Sequence, residues 1–263
     1  MWLTLDLGNS KLKGGLFRGD EITRTFTVSY GTENTSLQQQ YAFAEELQAQ
    51  LDGAEIDGVA LCSVVPLATT AVKEALPHLS ILEVSPRTNL PFPLAYESPE
   101  TLGADRLAAA VGGWEQYASP RSASSAIIVD AGTAITIDVV TSSEGYLGGV
   151  IAPGPQLMAE SLHSGTVQLP LVSHQSRPRV IGKTTTEAME SGVIHGAASM
   201  VEGLLQVVTD DLEGGSVVTV LTGGWCHRLS SCLSTDHETD KHLVLRGLRA
   251  LIRRSSFVGT GRT

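Results

Sequence analysis

The stretch Ser125–Asp138, SAIIVDAGTAITID, decides the fold. Its apolar residues Ala126, Ile127, Ile128 and Val129 read as a buried strand that runs into a carboxylate, Asp130. A tight Gly132-Thr133 turn follows. Ile135 and Ile137 then alternate with Thr136 and Asp138, the period-two pattern of a returning strand. The N-terminus has the same arrangement. In MWLTLDLGNSKLKGGLF, residues 1–17, an apolar strand ends on Asp6, a Gly8-Asn9-Ser10 turn follows, and a strand returns from Leu12 to Phe17. Two copies of strand–Asp–x–Gly–small polar predict two half-molecules of similar build facing a shared cleft.

Such a turn has a definite chemistry. Gly8 and Gly132 let backbone approach a ligand closely and tolerate positive φ where it is needed. The turn's N–H groups, with the side chains of Asn9, Ser10 or Thr133, form a cradle for phosphate oxygens. A carboxylate at the strand end holds a cation that offsets phosphate charge. Lys13 adds a point charge within reach of a phosphate. A single Asp-x-Gly turn reads equally as a plain hairpin whose Asp caps the bend. Its repetition, each time after an apolar strand, favours the nucleotide reading.

The 263 residues suffice for one large domain or two of about 100–150 residues. A hydrophobic content of 42% with 17% charged residues fits a globular chain with a substantial core. The net charge of −10 argues against nucleic acid as the main partner, because phosphate backbones require a basic face. The exception is the tail, where Arg246, Arg249, Arg253, Arg254 and Arg262 cluster; the plain reading is a solvated helix end and a frayed terminus. No stretch approaches the roughly 18 apolar residues of a membrane span, and no leader precedes the first strand. The three cysteines, Cys62, Cys226 and Cys232, make no disulfide framework. These features predict a cytoplasmic protein.

In chain order, the first two strands lead to a third at Glu21–Val28, a helix at Leu37–Leu51, and a buried strand at Ile56–Val65. A helix follows over Leu67–Leu76 with Pro66 at its start, then a strand at Ile81–Val84. The segment Ser85–Thr101, with Pro86, Pro91, Pro93 and Pro99, reads as a surface loop heading toward the cleft. Leu102-Gly103-Ala104-Asp105-Arg106 opens a helix through Leu107–Tyr117. A carboxylate and a guanidinium at a helix start suit a substrate, since the dipole favours anions there, and equally suit an Asp satisfying its own first turn. The residues Pro120–Ser125 form a linker, giving domains over 1–118 and 119–263. The second half continues with a strand at Gly145–Ile151, a helix at Gln156–His163, a polar loop from Ser164 to Gly182 and a long helix at Thr185–Asp211. A strand at Val217–Leu221 and a closing helix at Leu243–Ile252 complete it. The small residues Gly192, Gly196, Ala197 and Ala198 on the long helix permit close approach of another helix, including one from a second subunit.

Several constellations fail on spacing. Ile181-Gly182-Lys183-Thr184 looks like the end of a Walker A loop, but Arg177 stands where its first glycine is required. No G-x-G-x-x-G follows a strand, and no G-x-S-x-G elbow is present. Cys226, Cys232, His237 and His242 have zinc-ligand chemistry at a spacing that matches no common zinc module. His195, on the long helix, reads as a core or interface histidine.

Taken in order, DLGNSKLK, CSVVP, Tyr96 separated by five residues from LGADR, DAGTAITID, GGVIAPG, TVQLP, GKTTTEAMESG and LTGG span nearly the whole chain. Together they resemble the type III pantothenate kinases of the acetate-kinase/sugar-kinase/Hsp70/actin superfamily. The resemblance implies an α/β protein of two ribonuclease-H-like (actin-like ATPase) domains with a cleft between them. It implies ATP-dependent phosphorylation of pantothenate to 4'-phosphopantothenate, the first step of coenzyme A biosynthesis, by a homodimer whose substrate pocket lies at the subunit interface. It further implies that Asp6, Gly8, Asn9, Ser10 and Lys13 hold the nucleotide phosphates, with Asp6 near Mg²⁺ and Thr133 on ATP. Asp105 becomes the general base, and Gly103, Ala104, Asp105 and Arg106 line the pantothenate site with Tyr96 and Thr185. Asp130 binds a monovalent cation, K⁺ or NH₄⁺.

Three departures stand out: Thr184 where Asn is usual, TVQLP in place of T-A-x-L-P, and Trp225 where an acid normally follows LTGG. Two other functions fit parts of the pattern. One is a kinase or phosphatase of the same superfamily acting on a sugar or acyl group, against which GADR and Tyr96 speak. The other is a nucleotide-binding regulator, against which the complete set Asp6, Asp105 and Asp130 speaks.

Overall fold

A computed structural model describes residues 1–8, 11–29, 37–172, 178–212 and 214–255. The chain divides into two compact units, one comprising Met1–Gln116 together with the segment from Leu243 onward, the other Tyr117–His242.

The first unit opens with β1 (Trp2–Leu7), β2 (Lys11–Arg18) and β3 (Glu21–Ser29), an antiparallel meander. It continues with α1 (Leu37–Leu51), β4 (Gly58–Ser63), α2 (Pro66–Ala75) and β5 (Ile81–Glu83). The sheet order is β3-β2-β1-β4-β5, with β4 parallel to β1 and β5 parallel to β4. Only β2 runs against the others, the ribonuclease-H-like arrangement. Alternation along β1 decides its two faces. Leu3, Leu5 and Leu7 pack with Phe43 and Leu47 of α1 and Ala68 and Val72 of α2. Thr4 lies on the opposite face beside Gly15, where a Cβ on Gly15 would stand 3.0 Å from Thr4 Oγ1.

That opposite face is covered by α3 (Ala104–Gly113) and, after the whole second unit has intervened, by the closing helix. The second unit holds β6 (Ser125–Ala131), β7 (Ala134–Thr141), β8 (Gly145–Pro153), α4 (Pro155–Ser164), α5 (Thr185–Asp211), β9 (Val217–Thr222), α6 (Cys226–Ser230) and β10 (Glu238–Thr239). The closing helix is α7 (Leu243–Arg254). The second sheet runs β10-β9-β6-β7-β8, strand for strand the order of the first. Even a local irregularity is duplicated. The β2/β3 ladder shifts register between Leu16 and Phe17, three residues past Lys13, and the β7/β8 ladder between Val139 and Val140, three past Thr136. Lys13 and Thr136 are the residues paired with Asp6 and Asp130.

The expected division placed everything after residue 118 in the second half. The closing helix instead packs on the first unit. Its apolar residues Leu243, Leu245, Leu248 and Leu251 are buried, and Gly247 lies against Ala108 of α3 so closely that a Cβ would come within 2.9 Å of the Gly112 nitrogen. The arginines expected at a solvated helix end are engaged. Arg253 bridges Asp20 at 3.1 Å and Glu115 at 3.0 Å, Arg254 reaches Glu115 at 3.3 Å, and Arg249 donates to the Gly19 carbonyl at 2.7 Å while lying over the Trp2 ring. Arg262 lies outside the described residues.

Element ends differ modestly from expectation. α3 begins at Ala104, and its last turn passes into a π-helical turn over Trp114–Ala118, whereas the sequence reading ran one helix to Tyr117. The sequence reading lacked α6 and β10. The second core is built by Ile127, Val129, Ile135 and Ile137 against Ala197, Ala198, Val201 and Leu205 of α5. Ala197 and Ala198, nominated for contact with a second subunit, are therefore consumed by their own sheet. A Cβ added at Gly192 or Gly196 would meet no atom within 4 Å, so both lie on the open side of the helix.

Candidate active site

In the first unit, the β1 register sets Asp6 opposite Lys13 on β2 and Cys62 on β4. Residues directly across a ladder share a face, so all three side chains project to the same side. The Lys13 ammonium stands 3.8 Å from Asp6 Oδ2, and the Cys62 thiol donates to Asp6 Oδ1 at 3.5 Å. Asp6 is 8% exposed. Burial pushes its carboxyl above the ordinary carboxylate range; Lys13 pulls it back, the nearby Asp105 carboxylate adds to the rise, and the thiol lowers it. Burial, with the charges of Asp6 and Asp105, holds the Cys62 thiol well above its usual value, so it remains S–H and acts as a donor.

The GADR segment starts α3. Gly103 is the N-cap residue, Ala104 the first helical residue, and the Asp105 carboxylate turns back to accept the Arg106 N–H at 2.9 Å. Asp105 is close enough to Asp6 for their charges to repel. The fold thus gathers Asp6, Lys13 and Asp105 in one unit, beside a thiol for which the sequence had suggested no role. Tyr96 lies half-buried in the segment between β5 and α3. A crevice of about 430 Å³ opens where β4 and β5 end, bordered by Ser63, Val64, Thr69 and Lys73. None of the residues nominated by the sequence lines it.

The second unit holds Asp130, Thr133 and Thr185. Asp130, near the end of β6, pairs across the ladder with Thr136 and, on β9, with Thr222. The following bend closes through Gly132 N–H donating to the Ala134 carbonyl at 2.9 Å, as Gly8 N–H donates to Lys11 at 3.1 Å in the first copy. Neither glycine has positive φ. Two others are held more tightly. Gly154, at the start of α4, donates to the Thr133 carbonyl at 3.0 Å, and a Cβ there would stand 2.5 Å from that same oxygen. Gly223 has φ +89, and a Cβ would collide with Asp130 Oδ1 and come 2.5 Å from the Ala131 carbonyl oxygen. The signals for both were present, in GGVIAPG and LTGG, as glycines directly after strands. Trp225 donates its backbone N–H to Ala131 at 3.0 Å, and its ring lies under Arg228.

Thr185 is the exposed first residue of α5. Its neighbour Thr184 is the N-cap, accepting the Glu187 N–H at 3.2 Å, while the Glu187 carboxylate accepts the Lys183 N–H at 2.7 Å. Thr184 thus caps α5 as Asn would, while Glu187 satisfies the amide one residue before the cap. Asn9 and Ser10 lie outside the described residues.

Paired ribonuclease-H-like units, each with a carboxylate on its first strand, place the chain in the actin-like ATPase fold class. The architecture matches a ROK-family glucokinase from Streptomyces griseus, solved with glucose and AMPPNP, at a TM-score of 0.58 with 11% identity over 96% of this chain and 99% of that one. The family model for type III pantothenate kinase matches residues 2–207. Among relatives of that description, one from Moorella thermoacetica is 33% identical over 97% of this chain and 100% of its own length. One from Chlorobaculum tepidum is 36% identical over 95% and 93%. The chain belongs to the type III pantothenate kinase family, enzymes that phosphorylate pantothenate in the first step of coenzyme A biosynthesis. Among the described residues, no helix is long and apolar enough to cross a membrane.

Proposed function

We propose that this chain moves the γ-phosphoryl group of ATP to the primary hydroxyl of pantothenate, with Asp105 accepting the hydroxyl proton. The observation that carries the reading is the gathering of Asp105, Asp6 and Lys13 in one unit, with the Asp105 carboxylate held at the start of α3. Phosphoryl transfer depends on positioning and charge neutralisation more than on a strong base, so a carboxylate is adequate to take the proton late in the reaction. In this reading Gly103, Ala104 and Arg106 line the pantothenate pocket with Tyr96 and Thr185, and the planar Arg106 fork orients the substrate's polar groups.

Asp6 fits a hard divalent cation. It is a nearly buried carboxylate whose burial Lys13 and the thiol do not fully offset. Mg²⁺ bound there would neutralise charge on the phosphates. Lys13, Gly8, Asn9 and Ser10 would hold the phosphate oxygens, and Thr133 would contact ATP in the second unit. The surroundings of Asp130 supply oxygen donors, with Thr136 and Thr222 across the ladders, which suits K⁺ or NH₄⁺ better than a soft metal. A homodimer is supported by the open side of α5 at Gly192 and Gly196 and by the exposed apolar residues Leu157 and Leu162 on α4. Catalysis is assigned to the cytoplasm, with pantothenate rather than nucleic acid or membrane as partner.

The test is Asp105→Asn, assayed for ADP release with pantothenate, Mg²⁺ and K⁺. Loss of a general base lowers kcat by about 10²–10⁴-fold. Turnover at the wild-type rate would remove Asp105 from this role.

A further inference from the structure

Gly103 sits at a backbone conformation that does not call for glycine. Its φ of −59 and ψ of 136 are available to every L-residue, and it occupies the N-cap of α3, where Ser, Asp or Asn stabilises a helix and glycine adds no side-chain cap. The nearest obstacle to a side chain is specific. A Cβ at 103 would stand 2.5 Å from Asp105 Oδ1, while the next nearest atoms are ordinary neighbours at 3.7 Å (Asp105 Cγ) and 3.8 Å (Arg106 Cγ). Outside its two chain neighbours, no backbone atom stands nearer than these. The colliding oxygen is the one that accepts the Arg106 N–H. The contrast with Gly223 is sharp, since there both a positive φ and the Ala131 carbonyl exclude a side chain whatever Asp130 does.

We infer that Gly103 is a positioning residue for Asp105: its missing side chain leaves the space in which the carboxylate lies against the first turn of α3. A methyl group at 103 would not break the helix or strain the backbone. It would swing the carboxylate off the Arg106 N–H, because the far end of a side chain yields before the backbone does. Glycine here gives up helix stability for the geometry of one oxygen. The inference rests on the reading of Asp105 as the general base, and it deepens the role of Gly103 from pocket lining to control of that base.

The test compares Gly103→Ala and Gly103→Ser with Asp105→Asn, measuring kcat, KM for pantothenate and Tm of each purified enzyme. Misplacing a reacting group by about an ångström costs up to about 10²-fold. For both Gly103 variants we expect kcat to fall about tenfold to 10²-fold and KM to change little. Tm should hold or rise in Gly103→Ser, whose hydroxyl can cap α3, and fall slightly in Gly103→Ala, since alanine caps less well than glycine. A Gly103→Ala/Asp105→Asn double variant should be no slower than Asp105→Asn alone. A raised KM with kcat intact would make Gly103 a substrate contact and overturn the inference. So would a fall in Tm of Gly103→Ser alongside activity, which would mark a structural role. If Asp105→Asn loses kcat while Gly103→Ala keeps it, the positioning role fails and the base survives. If Asp105→Asn itself turns over normally, the assignment of the base fails and takes the positioning role with it.

Discussion

The Cys62 thiol lies 3.5 Å from Asp6 Oδ1 because β4 runs parallel to β1 in a register that sets these two residues side by side. The thiol and Lys13 approach different oxygens of one carboxylate that is otherwise removed from water. The arrangement orients Asp6 but leaves its burial incompletely offset.

That imbalance has a sign. The folded-state pKa of Asp6 lies above its ordinary 3.8, chiefly through burial, so protonation favours the folded state. The corresponding stability is fully present below 3.8 and is lost as pH rises through the folded value. Asp6→Asn should therefore melt above wild type at pH 7 without ligand, the gap closing as pH falls toward 3.8. The rise in Tm that Mg-ATP gives the wild type should vanish in the variant. Thermal scans across pH, with and without Mg-ATP, read both effects. A variant that melts below wild type at pH 7 would mean that Lys13 and Cys62 outweigh burial.

The start of α4 is pressed against the second bend. Gly154→Ala puts a methyl 2.5 Å from the Thr133 carbonyl oxygen, where backbone rather than a flexible side chain must yield. Overpacking of this kind costs about 1–3 kcal/mol. We expect a lower Tm together with weakened ATP binding by calorimetric titration. Undiminished ATP affinity would separate the Thr133 bend from the nucleotide.

Within the second sheet, the Tyr146 hydroxyl donates to Asp138 Oδ1 at 2.6 Å, and Thr136 donates to Oδ2 at 3.2 Å; Tyr146 and Asp138 are fully buried. Tyr146→Phe leaves that carboxyl short of a donor, at a cost of about 1–3 kcal/mol. Urea unfolding should register the loss, and an unchanged midpoint would show that the bond contributes nothing net.

Asp130 offers the clearest dependence on solution conditions. Replacing K⁺ and NH₄⁺ with a bulky organic cation should slow turnover about tenfold or more, equivalent to about 1.4 kcal/mol of transition-state stabilisation. Re-addition of K⁺ should restore it for the wild type but not for Asp130→Asn. A rate indifferent to both ions would remove the monovalent site.

Much of this was legible in the letters. Apolar runs ending in Asp6 and Asp130, each followed by a glycine bend, announced a duplicated strand pair, because alternation and turn chemistry are local properties. The ladder order of the two sheets bears that duplication out. The long helix α5 and the GADR helix start were equally readable from periodicity and capping.

What lay beyond the sequence depended on contacts between distant residues. Nothing near Leu243 says that α7 rejoins the first unit. Gly247 meeting Ala108, and Arg253 meeting Asp20 and Glu115, decide it. Cys62 gained a neighbour in Asp6 only through strand register, and Gly154 gained Thr133 only through the placement of α4. Strand identity, bends and helix starts follow from interactions over a few residues, so the sequence by itself determined them. Which side chain faces which carboxylate is settled by close packing between segments far apart in the chain, so only the tertiary structure could decide it.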